Sequence, residues 1–257
     1  MKKTTYVLLG VLVAAFIMII ISPFVFKLFV KDYQATIDEL NIGNKIVKKE
    51  YQDIKAIKLK NIGDITPFIN YSTKIIPSNG EDKKTTITLP DYEYFNSYKS
   101  GDTLVVTVNI KYDGNQIYTT NVKEININIA TTNELNYFTS DNSFMTDING
   151  FKGDSITLQA NNNRLTLNKS QYRAVNFNGG YSSFTAKEST IDSLYIDVDN
   201  YISWKFEKCK IDTEFITGSG YVNNHYSEDE CKRIVWIPKS KDAKFVVDTK
   251  AIITPCK

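Results

Sequence analysis

Two carboxylates carry the clearest chemical potential in this chain. Asp197 and Asp199 close the run Leu194-Tyr195-Ile196-Asp197-Val198-Asp199. If Leu194, Ile196 and Val198 point inward, strand alternation turns both acids outward on one side. Paired acids of this kind could ligate calcium or share the work of glycoside cleavage. One and two repeats earlier the same outward position holds Asn178 and Gln159, a polar ladder without a second ring of charge. A lyase would also need a base, and Lys205 is the nearest in sequence. The simpler reading is a solvated strand face.

Aromatic residues give the better functional lead. Tyr195 shares the face of Asp197, and the stretch Asp91 to Tyr98 places Tyr92, Tyr94, Phe95 and Tyr98 close together beside a turn. Exposed rings next to amides stack on sugars or anchor protein partners; buried, the same rings would cover the end of a sheet. Tyr92, Tyr94, Tyr98, Tyr195, Asp197 and Asp199 are therefore the candidate ligand-binding residues. No catalytic residue, metal ligand or cofactor is assigned. The one histidine, His225, sits in Asn223-Asn224-His225-Tyr226, expected to be a surface loop, without the partners a triad or a zinc site requires. Of the three cysteines, Cys209 with Cys231 could close a loop worth roughly 3 kcal/mol in an oxidising compartment, and Cys231 with Cys256 is the rival pairing. No Cys-x-x-Cys spacing supports redox catalysis.

The elements that hold these residues are read from a repeat. Between Asp154 and Ile237, apolar doublets with one residue between their members recur: Ile156/Leu158, Leu165/Leu167, Val175/Phe177, Leu194/Ile196 and Trp204/Phe206. Leu158, Phe177, Ile196, Phe215 and Ile234 follow one another at a constant 19 positions. Such a column implies stacked coils whose like residues build one continuous core, about four or five coils in all. Asn161-Asn162-Asn163, Asn178-Gly179-Gly180, Asp199-Asn200 and Gly218-Ser219-Gly220 supply the corners, since Asn and Gly tolerate left-handed backbone. Ile216 and Val235 fall where that register wants polar residues, so the repeat is expected to fail near them.

Upstream, period-two runs at Ile54 to Ile62, Ile87/Leu89 and Leu104 to Ile110 predict strands. Asp113-Gly114 predicts a hairpin joining Leu104–Tyr112 to Ile117–Ile129, and Ile125/Ile127/Ile129 against Asn126/Asn128 gives a strand with one wet face. The tail, Phe245 to Val247 with Ile252/Ile253, is expected to pair and close the open end of the stack.

At the other end, Tyr6 to Phe26 is uncharged and long enough as a helix to span roughly 30 Å, a bilayer core. Ser22-Pro23-Phe24-Val25-Phe26 offers bulk where a signal peptidase wants small residues, which favours an uncleaved anchor. Lys2 and Lys3 favour a cytoplasmic N-terminus, placing the rest outside the cytoplasm. Asp32 to Glu50, with Ile37, Leu40 and Ile46, reads as a partly helical stalk. Setting aside Lys2, Lys3, Lys27 and Lys31 from the 31 basic residues leaves 27 against 29 acidic ones. A near-neutral body without a basic stripe offers little to nucleic acid.

The order of parts resembles that of the envelope proteins of Bacteroidetes-type bacteria known as adhesin-head or GIN domains. An N-terminal membrane segment precedes Ile57-Lys58-Leu59-Lys60-Asn61, then Gly101-Asp102-Thr103-Leu104-Val105, then doublets between Ser, Asn and Gly turns. The repeated Ser-Gly turns of that family are mostly replaced by Asn, with Ser219-Gly220 remaining. The resemblance implies an all-β fold, a right-handed parallel β-helix-like stack of short strands with an N-terminal β-sheet region, and it transfers no catalytic residues. The expected layout is a transmembrane anchor over 1–31, a stalk over 32–50, an N-terminal β region over 51–130 and coils with a C-terminal cap over 131–257, the last two forming one domain. The expected role is a membrane-anchored binding, adhesion or scaffold module of the cell envelope with a glycan or envelope-protein partner. A polysaccharide-active enzyme using Asp197 and Asp199, and a signalling component acting through the helix, are the alternatives.

Overall fold

Alternating inward apolar and outward polar side chains make this chain a ladder of short strands. The computed structural model describes residues 16–23, 25, 45–63, 69–78, 84–110, 123–199, 202–225, 231–248 and 252–255. The strands are β1 (Ile46–Gln52), β2 (Ala56–Asn61), β3 (Ile69–Pro77), β4 (Lys84–Pro90), β5 (Phe95–Ser100), β6 (Thr103–Val108) and β7 (Lys123–Thr131). They continue as β8 (Tyr137–Ser140), β9 (Phe144–Asn149), β10 (Lys152–Asn161), β11 (Arg164–Asn168), β12 (Gln171–Gly180), β13 (Ser183–Lys187) and β14 (Thr190–Asp197). The last are β15 (Ser203–Glu207), β16 (Lys210–Gly218), β17 (Tyr221–His225), β18 (Cys231–Pro238), β19 (Lys244–Asp248) and β20 (Ile252–Pro255).

Residues 45–111 with 122–257 form one compact unit, and residues 1–44 with 112–121 another. Of the second unit, residues 16–23 and 25 are described as helix, with Phe16 to Ile21 exposed. The expected anchor over 1–31 therefore lies mostly outside the described residues. Among the described residues no helix is long and apolar enough to cross a membrane.

In the larger unit a ten-stranded sheet runs β20-β18-β16-β14-β12-β10-β8-β2-β6-β5, an eight-stranded sheet runs β1-β4-β7-β3-β9-β11-β13-β15, and β17 pairs with β19. From β8 to β16 the chain visits the two large sheets in strict alternation, and every pairing within that stretch is parallel. The antiparallel pairs lie at the N-terminal end, β1 with β4, β4 with β7 and β5 with β6. All five doublets face inward and are 7 % exposed or less. Phe177 of one sheet stacks on Phe184 of the other at 4.7 Å, so the core is the space between the sheets. Burying each such side chain stabilises by roughly 1.5–3 kcal/mol.

The 19-residue column holds for two steps and then shifts. Leu158 faces Phe177 and Phe177 faces Ile196, but Ile196 faces Ile216 and Ile216 faces Trp236. The added residue lies in the corner after Asp197, because Ser183 faces Ser203 while the strand before that corner kept the shorter spacing. Phe215, expected inside, is turned outward. Glu214 takes an inward place between Leu194 and Ile234 and is fully buried. The repeat thus fails where Ile216 and Val235 signalled that it would.

Three other expectations are corrected. Leu104–Tyr112 and Ile117–Ile129 do not form a hairpin: β6 lies in the ten-stranded sheet beside β2 and β5, while β7 lies in the other sheet beside β3 and β4. The hairpin is instead β5–β6, turned at Gly101 with φ of 63°. The tail does not pair with itself, since β19 joins β17 in a separate two-stranded parallel sheet and β20 joins β18 at the edge of the ten-stranded one. The stalk expected over 32–50 ends in sheet, because Ile46 to Glu50 are paired with Pro90 to Thr86.

The corners follow a rule other than Asn and Gly content. Left-handed residues stack in two columns, Ser143-Asn162-Tyr181 and Gly150-Lys169-Glu188-Lys208. After three of the seven, Lys169, Tyr181 and Glu188, comes a serine that ties the corner together. Ser170 Oγ donates to Asn168 O at 2.8 Å and accepts the Phe151 N–H at 3.3 Å. Ser189 Oγ donates to Lys187 O at 2.7 Å and accepts the Ser170 N–H at 3.1 Å. Each hydroxyl satisfies backbone groups that the turn would otherwise bury without partners.

Candidate functional site

The outward face of the ten-stranded sheet is built by one register. Thr157, Asn176, Tyr195, Phe215 and Val235 stand on consecutive strands. Tyr195 and Phe215 stack at 4.7 Å with 8° between their planes, close to the spacing of strands in a sheet. Phe215 covers one face of the Tyr195 ring, and the next rung on the other side carries the smaller Asn176. A cavity of about 310 Å³ opens here, lined by Thr157, Asn176, Asn178, Tyr195, Asp197 and Phe215 among others. That volume suits a small ligand, and Tyr195 remains 40 % exposed.

Asp197 and Asp199 stand at the end of this face and hold a cation from the chain itself. Lys239 Nζ donates to Asp197 Oδ2 at 2.6 Å and to Asp199 Oδ2 at 2.9 Å. Asp199 Oδ1 also accepts the Ser219 N–H at 2.5 Å and its hydroxyl at 2.8 Å. The Lys239 and Ser219 hydrogen bonds hold the Asp199 carboxyl below the usual carboxylate range, and the hydrogen bonds to Asp197 and Asp199 raise the Lys239 ammonium. A general acid for glycoside cleavage needs the opposite shift. A metal would need the place that Lys239 Nζ fills. Gly218 lets this corner close: a Cβ there would lie 2.6 Å from Val198 Cγ2.

Lys205, the base nearest in sequence, is on the other sheet and paired with Glu207 at 3.0 Å. Lys239 went unnoticed because it lies two coils downstream of the acids, and a parallel ladder brings together residues whose separation is a multiple of the coil length. Phe215 was missed for the same reason as the register shift. Its signal was Phe215-Ile216 with Val235-Trp236, adjacent apolar pairs of which one member must face out.

The remaining candidates lie elsewhere. Tyr92 and Tyr98 are 37 % and 45 % exposed, and Tyr92 packs on Tyr94 with ring centroids 5.0 Å apart. Phe95, not the tyrosines, enters the core, meeting Tyr71 edge to face at 6.3 Å. β5 is six strand spacings from β14, roughly 29 Å at about 4.8 Å each. The two tyrosine groups are not parts of one site. His225 ends β17 and is not in a loop.

Cys209 and Cys231 are not bonded to each other in this structure, so the first of the two possible pairings is not formed there. Cys231 stands opposite Ile211, two residues past Cys209, and the thiols turn to different carbonyls, Cys209 to Glu207 O and Cys231 to Arg233 O. Cys209 follows the left-handed Lys208 as Ser189 follows Glu188, and so occupies a corner-serine position. Burial, with the nearby Glu214, pushes the Cys231 thiol up to about 12. Cys256 lies outside the described residues.

A scan against protein-family models and a search of curated proteins each return no match. Among solved structures, a Bacteroides fragilis protein provisionally described as an adhesin is similar over 83 % of this chain and 98 % of its own, with 12 % identity and a TM-score of 0.48. A Parabacteroides distasonis protein with the same provisional description has the same coverage and identity and a TM-score of 0.47. A second P. distasonis protein, provisionally described as lipid-binding, covers 84 % of this chain and 98 % of its own with 13 % identity and a TM-score of 0.39. Those descriptions belong to the proteins that carry them.

Proposed function

We propose that this protein is a non-catalytic binding module of the cell envelope, held to the membrane by its N-terminal segment and binding a glycan against Tyr195. Its body is then a right-handed parallel β-helix-like stack of the kind the GIN-domain resemblance implies, and its sheet face stands outside the cytoplasm. The observation that carries the reading is the Tyr195 ring, backed by Phe215 on one side and opening over Asn176 on the other. A sugar ring packed there would set its C–H face on the tyrosine and its hydroxyls against Asn176, Asn178 and Asp197. The clamped carboxylates suit binding better than turnover, because Lys239 fixes both in place.

Titration of the protein lacking residues 1–44 with cellotetraose, xylotetraose and maltotetraose tests this. At least one should bind, with affinity falling about ten-fold in Tyr195→Ala and no new reducing ends appearing. Binding by none of them, equal binding by Tyr195→Ala, or hydrolysis lost in Asp197→Asn/Asp199→Asn would each overturn it.

A further inference from the structure

A second cavity, of about 490 Å³, opens at the corner that leads from the ten-stranded sheet into the eight-stranded one. Its walls include Asn70, Asn163, Arg164, Tyr181, Ser183 and Ser203. Arg164, Ser183 and Ser203 begin β11, β13 and β15 and stand in one register column. Each precedes a buried apolar residue, Leu165, Phe184 and Trp204, so alternation turns all three outward. The column spans two strand spacings, roughly 10 Å.

Three features of this corner are unexplained by folding alone. Arg164 is exposed, and among the described residues no carboxylate pairs with it, whereas Arg173 meets Asp154 at 3.5 Å and Lys187 meets Glu207 at 2.9 Å. Tyr181 is 70 % exposed at φ of 51°. A bulky residue in the left-handed region costs about 1–2 kcal/mol, and Asn162, one coil earlier in the same column, shows that a small polar residue serves the turn. Asn163 spends its Nδ2 on Ser140 O at 3.0 Å, Ser140 Oγ at 2.6 Å and Asp141 O at 3.1 Å, leaving its buried Oδ1 without a donor.

We propose that this corner binds a carboxylate-bearing sugar. The Arg164 guanidinium takes the carboxylate through two parallel N–H donors. The Ser183 and Ser203 hydroxyls meet ring hydroxyls along the column, and Tyr181 covers the apolar face of a sugar ring. An aromatic platform and a file of hydroxyls fit a saccharide better than a bare inorganic anion, and the unpaired guanidinium selects an acidic one.

The test is calorimetric titration of the protein lacking residues 1–44 with trigalacturonate, a hyaluronan tetrasaccharide and 3′-sialyllactose. Fully methyl-esterified trigalacturonate, the fully methyl-esterified hyaluronan tetrasaccharide and lactose serve as uncharged counterparts. At least one acidic probe should bind, its counterpart at least about ten-fold more weakly. Arg164→Gln should lose about ten-fold, and Tyr181→Asn, which keeps a residue the corner accepts, several-fold with an unchanged circular dichroism spectrum. Tyr195→Ala should bind the acidic probe as the parent does, which separates this site from the sheet face. Failure of all three acidic probes, equal affinity for the uncharged counterparts, or binding retained in Arg164→Gln would overturn the assignment.

Discussion

Asp199 ties the sheet face to pH. Its carboxyl is depressed by Lys239 and Ser219, so its contribution to stability is complete above the unfolded carboxylate range and is lost as pH falls through the lower folded value. Lys239 is raised, so its contribution is complete below the unfolded lysine range and is lost only as pH rises through the higher folded value. Both groups are partly exposed, with side chains 27 % and 38 % accessible, and solvent screens the pair to about 0.5–1 kcal/mol. Lys239→Met should lower the melting temperature by about 1–4 °C at pH 7 and by less at a pH acid enough to protonate Asp199 in the folded protein. A penalty that is the same at both pH values, read by scanning calorimetry, would show that the lysine acts through its packing stem and not its charge.

Between strands, the corner serines matter more than their size suggests. Removing the Ser189 hydroxyl leaves the buried Ser170 N–H without its acceptor, and Ser189→Ala should cost about 1–3 kcal/mol in denaturant unfolding. Cys209→Ser, which places a hydroxyl where this coil has a thiol, should stay within about 1 kcal/mol of the parent. A larger loss for Cys209→Ser than for Ser189→Ala would remove the equivalence of the two positions. These corners also mark what could be read in advance. Inward doublets such as Val175/Phe177 are dictated by apolar periodicity alone, and their burial was legible. Left-handed Lys169, Glu188 and Lys208 were not, because no local preference of lysine or glutamate favours that conformation; the stacked hydrogen bonds impose it. The inserted residue after Asp197 was equally hidden, since one added position moves Phe215 out and Glu214 in without altering local composition. The hairpin at Asp113-Gly114 was misplaced because turn chemistry cannot say whether a chain returns to its own sheet or crosses to the facing one. At the candidate site, the outward placing of Asp197, Asp199 and Tyr195 follows from alternation, whereas that of Phe215 and Lys239 depends on the spacing between strands.

Considered whole, the larger unit between β8 and β16 is a pair of parallel ladders in which each interior strand pairs with the two strands beside it in its sheet. Stability in such arrays is set by neighbour interfaces, so openings begin at the ends. β20 is an edge strand with Ile252 69 % and Ile253 45 % exposed, and among the described residues β19 pairs only with β17. Amide hydrogen exchange should therefore be slowest in β10, β12 and β14 and fastest in β17, β19 and β20. Uniform protection across all of them, by mass spectrometry of peptic fragments, would mean that the stack unfolds as one cooperative unit.

The parallel registers of β10, β12 and β14 have a further consequence for how such a gene can change. Lys152, Gln171 and Thr190 occupy one rung position in successive coils. Excising residues 171–189 would join Ser170 to Thr190 and leave β10 facing β14 in the register it had with β12. Duplicating the same stretch would add one rung, about 4.8 Å of height. In-frame gain or loss of a coil thus lengthens or shortens the protein without a new interface having to evolve. The larger unit is in this sense graduated in single strands, its height set by how many of them each sheet stacks.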